Sequence, residues 1–121
     1  MQGTILVIDD DDQVRSMLKT LLEKEGYTVQ GACDGKEGLK IYQEHEFDLV
    51  ITDIIMPEKE GIETIRELRQ YNPDVNIIAV SGGGAIEADK YLLLAKGLGV
   101  RYTFEKPFRR NDLLAAVREL L

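Results

Sequence analysis

Thr4-Ile5-Leu6-Val7-Ile8-Asp9-Asp10-Asp11-Asp12 runs from a short apolar segment straight into four consecutive aspartates. Leu49-Val50-Ile51-Thr52-Asp53 repeats the design with a single acid at its end. Apolar runs this short, rich in β-branched residues, read as strands buried on both faces in a parallel sheet. In open α/β sheets, ligands bind at the carboxyl ends of the strands. If the two strands are neighbours, several carboxylates meet at one edge with little positive charge near them. Carboxylates held that close repel and raise each other's pKa values. A hard divalent cation relieves the repulsion, and Mg²⁺ favours a few carboxylates plus water and a phosphate.

Working outward, strand and helix patterns alternate along the whole chain. Val14, Met17, Leu18, Leu21 and Leu22 share one helical face at spacings of three and four. Asp11 or Asp12 can cap that helix, and Gly26 stops it. Thr28 to Ala32 reads as a second strand, and Lys36 to Glu44 as a helix with Leu39 and Tyr42 facing inward. After the third strand, Pro57 and Gly61 mark a loop. Ile62, Ile65 and Leu68 then predict a helix that ends near Asn72-Pro73. Asn76 to Val80 is a fourth strand, closed by Ser81 and three glycines, and a helix follows from about Ile86 to Lys96. Tyr102 to Glu105 is the fifth strand, closed by Lys106-Pro107. Leu113, Leu114, Val117, Leu120 and Leu121 form the last helical face. Five successive βα units imply an α/β fold, a five-stranded parallel sheet with helices on both faces. No linker, repeat or low-complexity tract interrupts the pattern, which predicts one domain over residues 1–121.

Composition narrows the function classes. The formal net charge of −7 opposes direct nucleic-acid binding. No apolar stretch approaches the ~20 residues needed to cross a bilayer, and the amino terminus has no basic-then-apolar signal pattern. No membrane association is therefore expected, and the expected location is cytoplasmic. Cys33 is the single cysteine, so no internal disulfide forms, and it is expected to pack in the core. His45, the lone histidine, reads as a solvated loop residue, and Arg109 and Arg110 as the exposed start of the last helix.

The strand ends together offer Asp9, Asp10, Asp53, Ser81 and Lys106. A carboxylate can act as a nucleophile and form an acyl phosphate. A metal and a lysine then neutralise charge on the transferring group, and a serine hydroxyl can donate to a phosphoryl oxygen.

Taken in order, these segments resemble the receiver domain of two-component response regulators. The residues that carry the likeness are Ile5-Leu6-Val7-Ile8-Asp9-Asp10, Leu49 to Pro57 around Asp53 with Gly61 after it, Ser81-Gly82, and Lys106-Pro107-Phe108. The resemblance implies a flavodoxin-like (βα)5 sheet of strand order 2-1-3-4-5. It makes Asp53 the phosphoacceptor, Ser81 the hydroxyl that turns to the phosphoryl group, and Lys106 the lysine that pairs with it, through a cis Lys106-Pro107 bond. It makes Asp9, Asp10, Asp53 and the backbone carbonyl of Ile55 the ligands of Mg²⁺. The implied donor is a histidine kinase or a histidine phosphotransfer protein. The implied output is contact with a downstream protein target or with an output domain outside the chain. The only catalysis implied is of the domain's own phosphorylation and dephosphorylation.

Three features depart from the family pattern. Thr103 stands where an aromatic is common, three glycines follow Ser81, and the segment from Ser81 to Lys106 is somewhat long. Two other functions compete. One is a metal-dependent phosphatase of the haloacid dehalogenase kind, with Asp9-Asp10-Asp11 as its Asp-x-Asp motif. The other is a pseudo-receiver that binds partners without phosphorylation.

Overall fold

The computed structural model describes residues 3–54, 60–81 and 88–121. The elements are β1 (Thr4–Ile8), α1 (Asp12–Lys24), β2 (Thr28–Ala32), α2 (Gly35–Glu44), β3 (Leu49–Asp53), α3 (Glu60–Tyr71), β4 (Ile77–Ser81), α4 (Ala88–Gly97), β5 (Tyr102–Glu105) and α5 (Arg110–Leu120). The strands form one parallel sheet in the order β2-β1-β3-β4-β5. This is the doubly wound order that the resemblance implied.

Strand alternation divides the core between the two faces of the sheet. Leu6, Ile8, Val50, Ile77 and Ala79 pack with Tyr42, Ile65 and Leu68 from α2 and α3. Ile5, Val7, Leu49, Ile51, Ile78 and Val80 pack on the other face with Leu18, Leu22, Leu113 and Val117 from α1 and α5. Both faces of β1, β3 and β4 are covered, which is why these strands read as unbroken apolar runs. The edge strands β2 and β5 are only partly covered.

Pairing fixes what meets at the carboxyl edge. Ile8 lies opposite Thr52, so Asp9, the next residue, comes level with Asp53. Asp53 lies opposite Val80, so Ser81 emerges one residue beyond it, and Ser81 lies opposite Glu105, just before Lys106.

Several sequence expectations need correction. Gly61 lies in the first turn of α3 and not in a loop. A Cβ there would sit 2.3 Å from Ile54 Cα and 2.6 Å from the Asp53 carbonyl oxygen, so the glycine lets α3 start against the end of β3. Cys33 is exposed and not buried, because β2 ends at Ala32 and the chain turns outward there. Its N–H donates to Glu37 Oε1 at 3.1 Å. Residual burial and the charges of Glu37 and Asp34 raise the thiol's pKa, which keeps it protonated. Leu121 follows α5 and is 41% exposed, so it does not extend the buried face. The fourth strand begins at Ile77 and takes in Ser81. Pro57, Ile86 and the glycines Gly82 to Gly84 lie outside the described residues.

Candidate functional site at the carboxyl edge of the sheet

The run of four aspartates splits in two. Asp9 continues β1, its N–H donating to the Ala32 carbonyl at 3.1 Å, and it is only 2% exposed. Its Oδ1 accepts the Asp11 N–H at 2.9 Å. Asp10 points to solvent at the rim. Asp11 is the N-cap of α1 and accepts from the N–H groups of Gln13 (2.9 Å) and Val14 (3.3 Å). Asp12 opens the helix and pairs with Arg15. The first two acids therefore serve the sheet edge and the last two serve the helix.

Asp53 closes β3 and is 5% exposed. Asp9, Asp10 and Asp53 each place a carboxylate oxygen within 4.8 Å of the others. Lys106 reaches across the sheet to two of them: its Nζ donates to Asp9 Oδ2 at 2.9 Å and to Asp53 Oδ2 at 3.0 Å. The Lys106 N–H donates to the Ser81 carbonyl at 2.7 Å, and the Lys106-Pro107 bond is cis. Partial burial alone would lower the Lys106 pKa. The hydrogen bonds and negative charges of Asp9 and Asp53 outweigh it, and the pKa is raised. The amine is therefore a firm cation at neutral pH.

Ser81 ends β4, fully buried, and its Oγ has no hydrogen-bond partner among the described residues. A buried hydroxyl without a partner is uncommon and costly, and here it lies at the same edge as the acids. Ile55, named for its carbonyl, lies outside the described residues. The donor set fits a hard cation: among the described residues it has three carboxylates and no sulfur or imidazole.

The sequence reading passed over one residue at this edge. Arg15 Nη1 donates to the Asp9 carbonyl at 2.7 Å while Nη2 pairs with Asp12. The available signal was an arginine three residues after an acid in the first turn of a helix.

The arrangement also bears on the phosphatase alternative. That reading needs Asp9 and Asp11 to act together, but the Asp11 carboxylate is engaged in capping α1.

Comparison with known proteins agrees with the fold and the acidic edge. The family model described as the response regulator receiver domain matches residues 5–118. The chain is 38% identical over 117 residues to the transcriptional regulatory protein CpxR of Klebsiella pneumoniae, covering 97% of this chain and 48% of that protein. It is 31% identical over 121 residues to the chemotaxis protein CheY of Halobacterium salinarum, covering 100% of this chain and 98% of that one. A 37% identical match to the sensor kinase CckA of Brucella abortus covers 98% of this chain and 12% of the kinase. The chain thus spans about half the length of the CpxR relatives and nearly all of the CheY relative. Among solved structures, a response regulator receiver domain protein from Clostridium thermocellum superposes with a TM-score of 0.86 at 34% identity, covering 98% of this chain and 93% of that one. With five parallel strands in the order 2-1-3-4-5 and an acidic pocket at their carboxyl edge, the chain belongs to the receiver domain family of two-component response regulators.

Proposed function

We propose that Asp53 is the phosphoacceptor, served by Lys106, Ser81 and a Mg²⁺ ion. The observation that carries this reading is the Lys106 ammonium fixed between Asp9 and Asp53, at the same edge as a buried serine hydroxyl with no partner among the described residues. A carboxylate oxygen of Asp53 attacks the phosphorus of a phosphohistidine. The P–N bond breaks, and the imidazole leaves with the electrons of that bond and takes up a proton. The product is an acyl phosphate on Asp53. Lys106 is placed to balance the added charge, and the Ser81 hydroxyl to donate to a phosphoryl oxygen. Asp9, Asp10, Asp53 and the Ile55 carbonyl would hold Mg²⁺, which when bound supplies further neutralisation of the phosphoryl oxygens. Attack of water on the phosphorus breaks the P–O bond and restores the aspartate. No turnover of an outside substrate is proposed.

The proposed donor is a histidine kinase or a histidine phosphotransfer protein. Either a separate protein target or an output domain of a longer protein would read the signal. The nearly full-length match to CheY supports the first arrangement, and the half-length match to CpxR and the short match within CckA support the second. Among the described residues no helix is long and apolar enough to cross a membrane. The proposed place of action is the cytoplasm, where the lone thiol of Cys33 would stay reduced.

Incubation with acetyl phosphate and Mg²⁺ tests the proposal. Wild type should take up one phosphoryl group, and Asp53→Asn should take up none. Equal labelling of the variant would remove Asp53 as acceptor. Failure of the wild type to bind beryllofluoride with Mg²⁺ would favour the pseudo-receiver instead.

A further inference from the structure

The geometry points to Arg15 as a positioning residue of the acidic edge: it holds the turn between β1 and α1 in the shape that lets Asp9 and Asp10 take a divalent cation. The inference deepens the proposed function and rests on it for the identity of the cation.

The turn has few ties of its own. Asp9 is anchored through its N–H to Ala32, the last residue of β2. Beyond Ala32, β2 offers no further rung, because the Cys33 N–H turns to Glu37 and Asp34 caps α2. The Asp9 carbonyl therefore lies past the end of the ladder on that side. Arg15 reaches back from the first turn of α1 and supplies the donor, Nη1 to the carbonyl oxygen at 2.7 Å. The other arm of the guanidinium pairs with Asp12. One planar, rigid group thus ties the residue just past the strand to the first residue of the helix. Asp10 and Asp11 are the two residues between these ties. Of the two, Asp10 belongs to the acidic group, and the Asp11 N–H steadies Asp9 Oδ1 at 2.9 Å.

The course of the side chain is also set. Its stem crosses β2 at Gly31, where a Cβ would come within 3.0 Å of Arg15 Cδ and 3.1 Å of Cγ. Gly31 lies opposite Val7 in the pairing of β1 with β2, two residues before Asp9. The arginine side chain is only 23% exposed, against 85% for Asp12, so it is held and not free to sweep through solvent. A glycine on an edge strand here leaves a track for the arginine stem.

A positioning role and a purely electrostatic one predict opposite signs. Arg15 is a cation near a cation site, so charge alone says that its removal should tighten metal binding. If it holds the ligands in place, removal should loosen binding, as loss of groups that orient metal ligands does.

The test measures Mg²⁺ affinity by calorimetry for wild type, Arg15→Ala and Gly31→Ala, with amide exchange of the metal-free proteins followed by NMR. Arg15→Ala should weaken Mg²⁺ about tenfold. Gly31→Ala, which keeps the arginine and its charge but crowds the stem, should also weaken it, by a smaller factor. In metal-free protein the Asp11 amide should exchange faster in both variants, while amides of β4 keep their wild-type rates. Unchanged or tighter Mg²⁺ binding in Arg15→Ala would overturn the positioning role. So would an unchanged Asp11 exchange rate, even if the wild type bound no Mg²⁺. That last finding in the wild type would count against the proposed cofactor and leave the exchange result to decide on Arg15.

Discussion

Lys106 holds the same oxygens that the proposed metal ion would take. The lysine ammonium holds Asp9 Oδ2 and Asp53 Oδ2, two atoms of carboxylates that are 3% and 5% exposed. Its charge offsets the repulsion between two buried like charges. Lys106→Ala should therefore destabilise metal-free protein by roughly 2 kcal/mol. That lies below the usual loss for a broken buried pair, because the lysine is 20% exposed. The same substitution should tighten Mg²⁺ binding, since carboxylates that no longer share the ammonium gain more from the ion. Urea unfolding in chelator and in Mg²⁺ checks both signs: the deficit of the variant should shrink when Mg²⁺ is added. A pH series adds a further check. The Lys106 pKa is raised in the folded state, first against the opposing effect of burial and then by its two carboxylate partners. Its stabilisation is complete below the ordinary lysine value of about 10.4 and is lost as pH rises through the raised folded value. The difference between wild type and variant should thus be flat from about pH 6 to 9 and fall only in the alkaline range.

At the scale of elements, what the sequence made legible was set by burial pattern. The three central strands are covered on both faces, so their apolar runs announced both type and extent to within a residue. The end of β3 delivered Asp53, and Lys106 followed β5, because residues of that chemistry after a strand stand out. Three things were not legible, and each depends on backbone geometry that residue type does not announce. Cys33 was expected inside, but nothing in its neighbours announces that β2 is an edge that ends one residue earlier. The capping role of Asp11 against Asp12 turns on backbone geometry within one turn. Gly61 looked like a loop glycine, yet its reason is the Ile54 backbone 2.3 Å from where a Cβ would stand. That reading leads to a contrast between glycines. Gly61→Ala pushes against main chain, which cannot swing aside, so α3 must move off the end of β3. Gly38→Ala meets Ile8 Cδ1 at 2.4 Å and Cγ1 at 2.8 Å, atoms of a side chain and not of main chain. Overpacking should cost Gly61→Ala about 2–3 kcal/mol and Gly38→Ala about 1 kcal/mol or less in urea unfolding. Equal losses would mean that the α3 start is not fixed by its contact with β3.

For the whole molecule, the sheet concentrates its charge problem at one edge. The chain carries a net charge of −7, and its two apolar cores lie on opposite faces of the sheet. Asp9, Asp10 and Asp53 gather at the carboxyl edge because register and strand order bring the first and third strand ends side by side. In the unfolded chain Asp9 and Asp53 are separated by 43 intervening residues, so the proposed cation site could form only in the fold. A ligand that binds the folded state alone stabilises by RT ln(1 + [L]/Kd), about 2.7 kcal/mol at a hundred times Kd. Mg²⁺ should therefore raise the unfolding free energy along that logarithmic curve. General screening predicts something different: a rise that follows ionic strength and is matched by NaCl. Urea titrations in MgCl₂ and in NaCl of equal ionic strength separate the two. The excess with MgCl₂ should vanish in Asp10→Asn, which removes an exposed proposed ligand and disturbs neither core. Were NaCl to reproduce the whole effect, or Asp10→Asn to keep the excess, the three carboxylates would not be acting as one cation site.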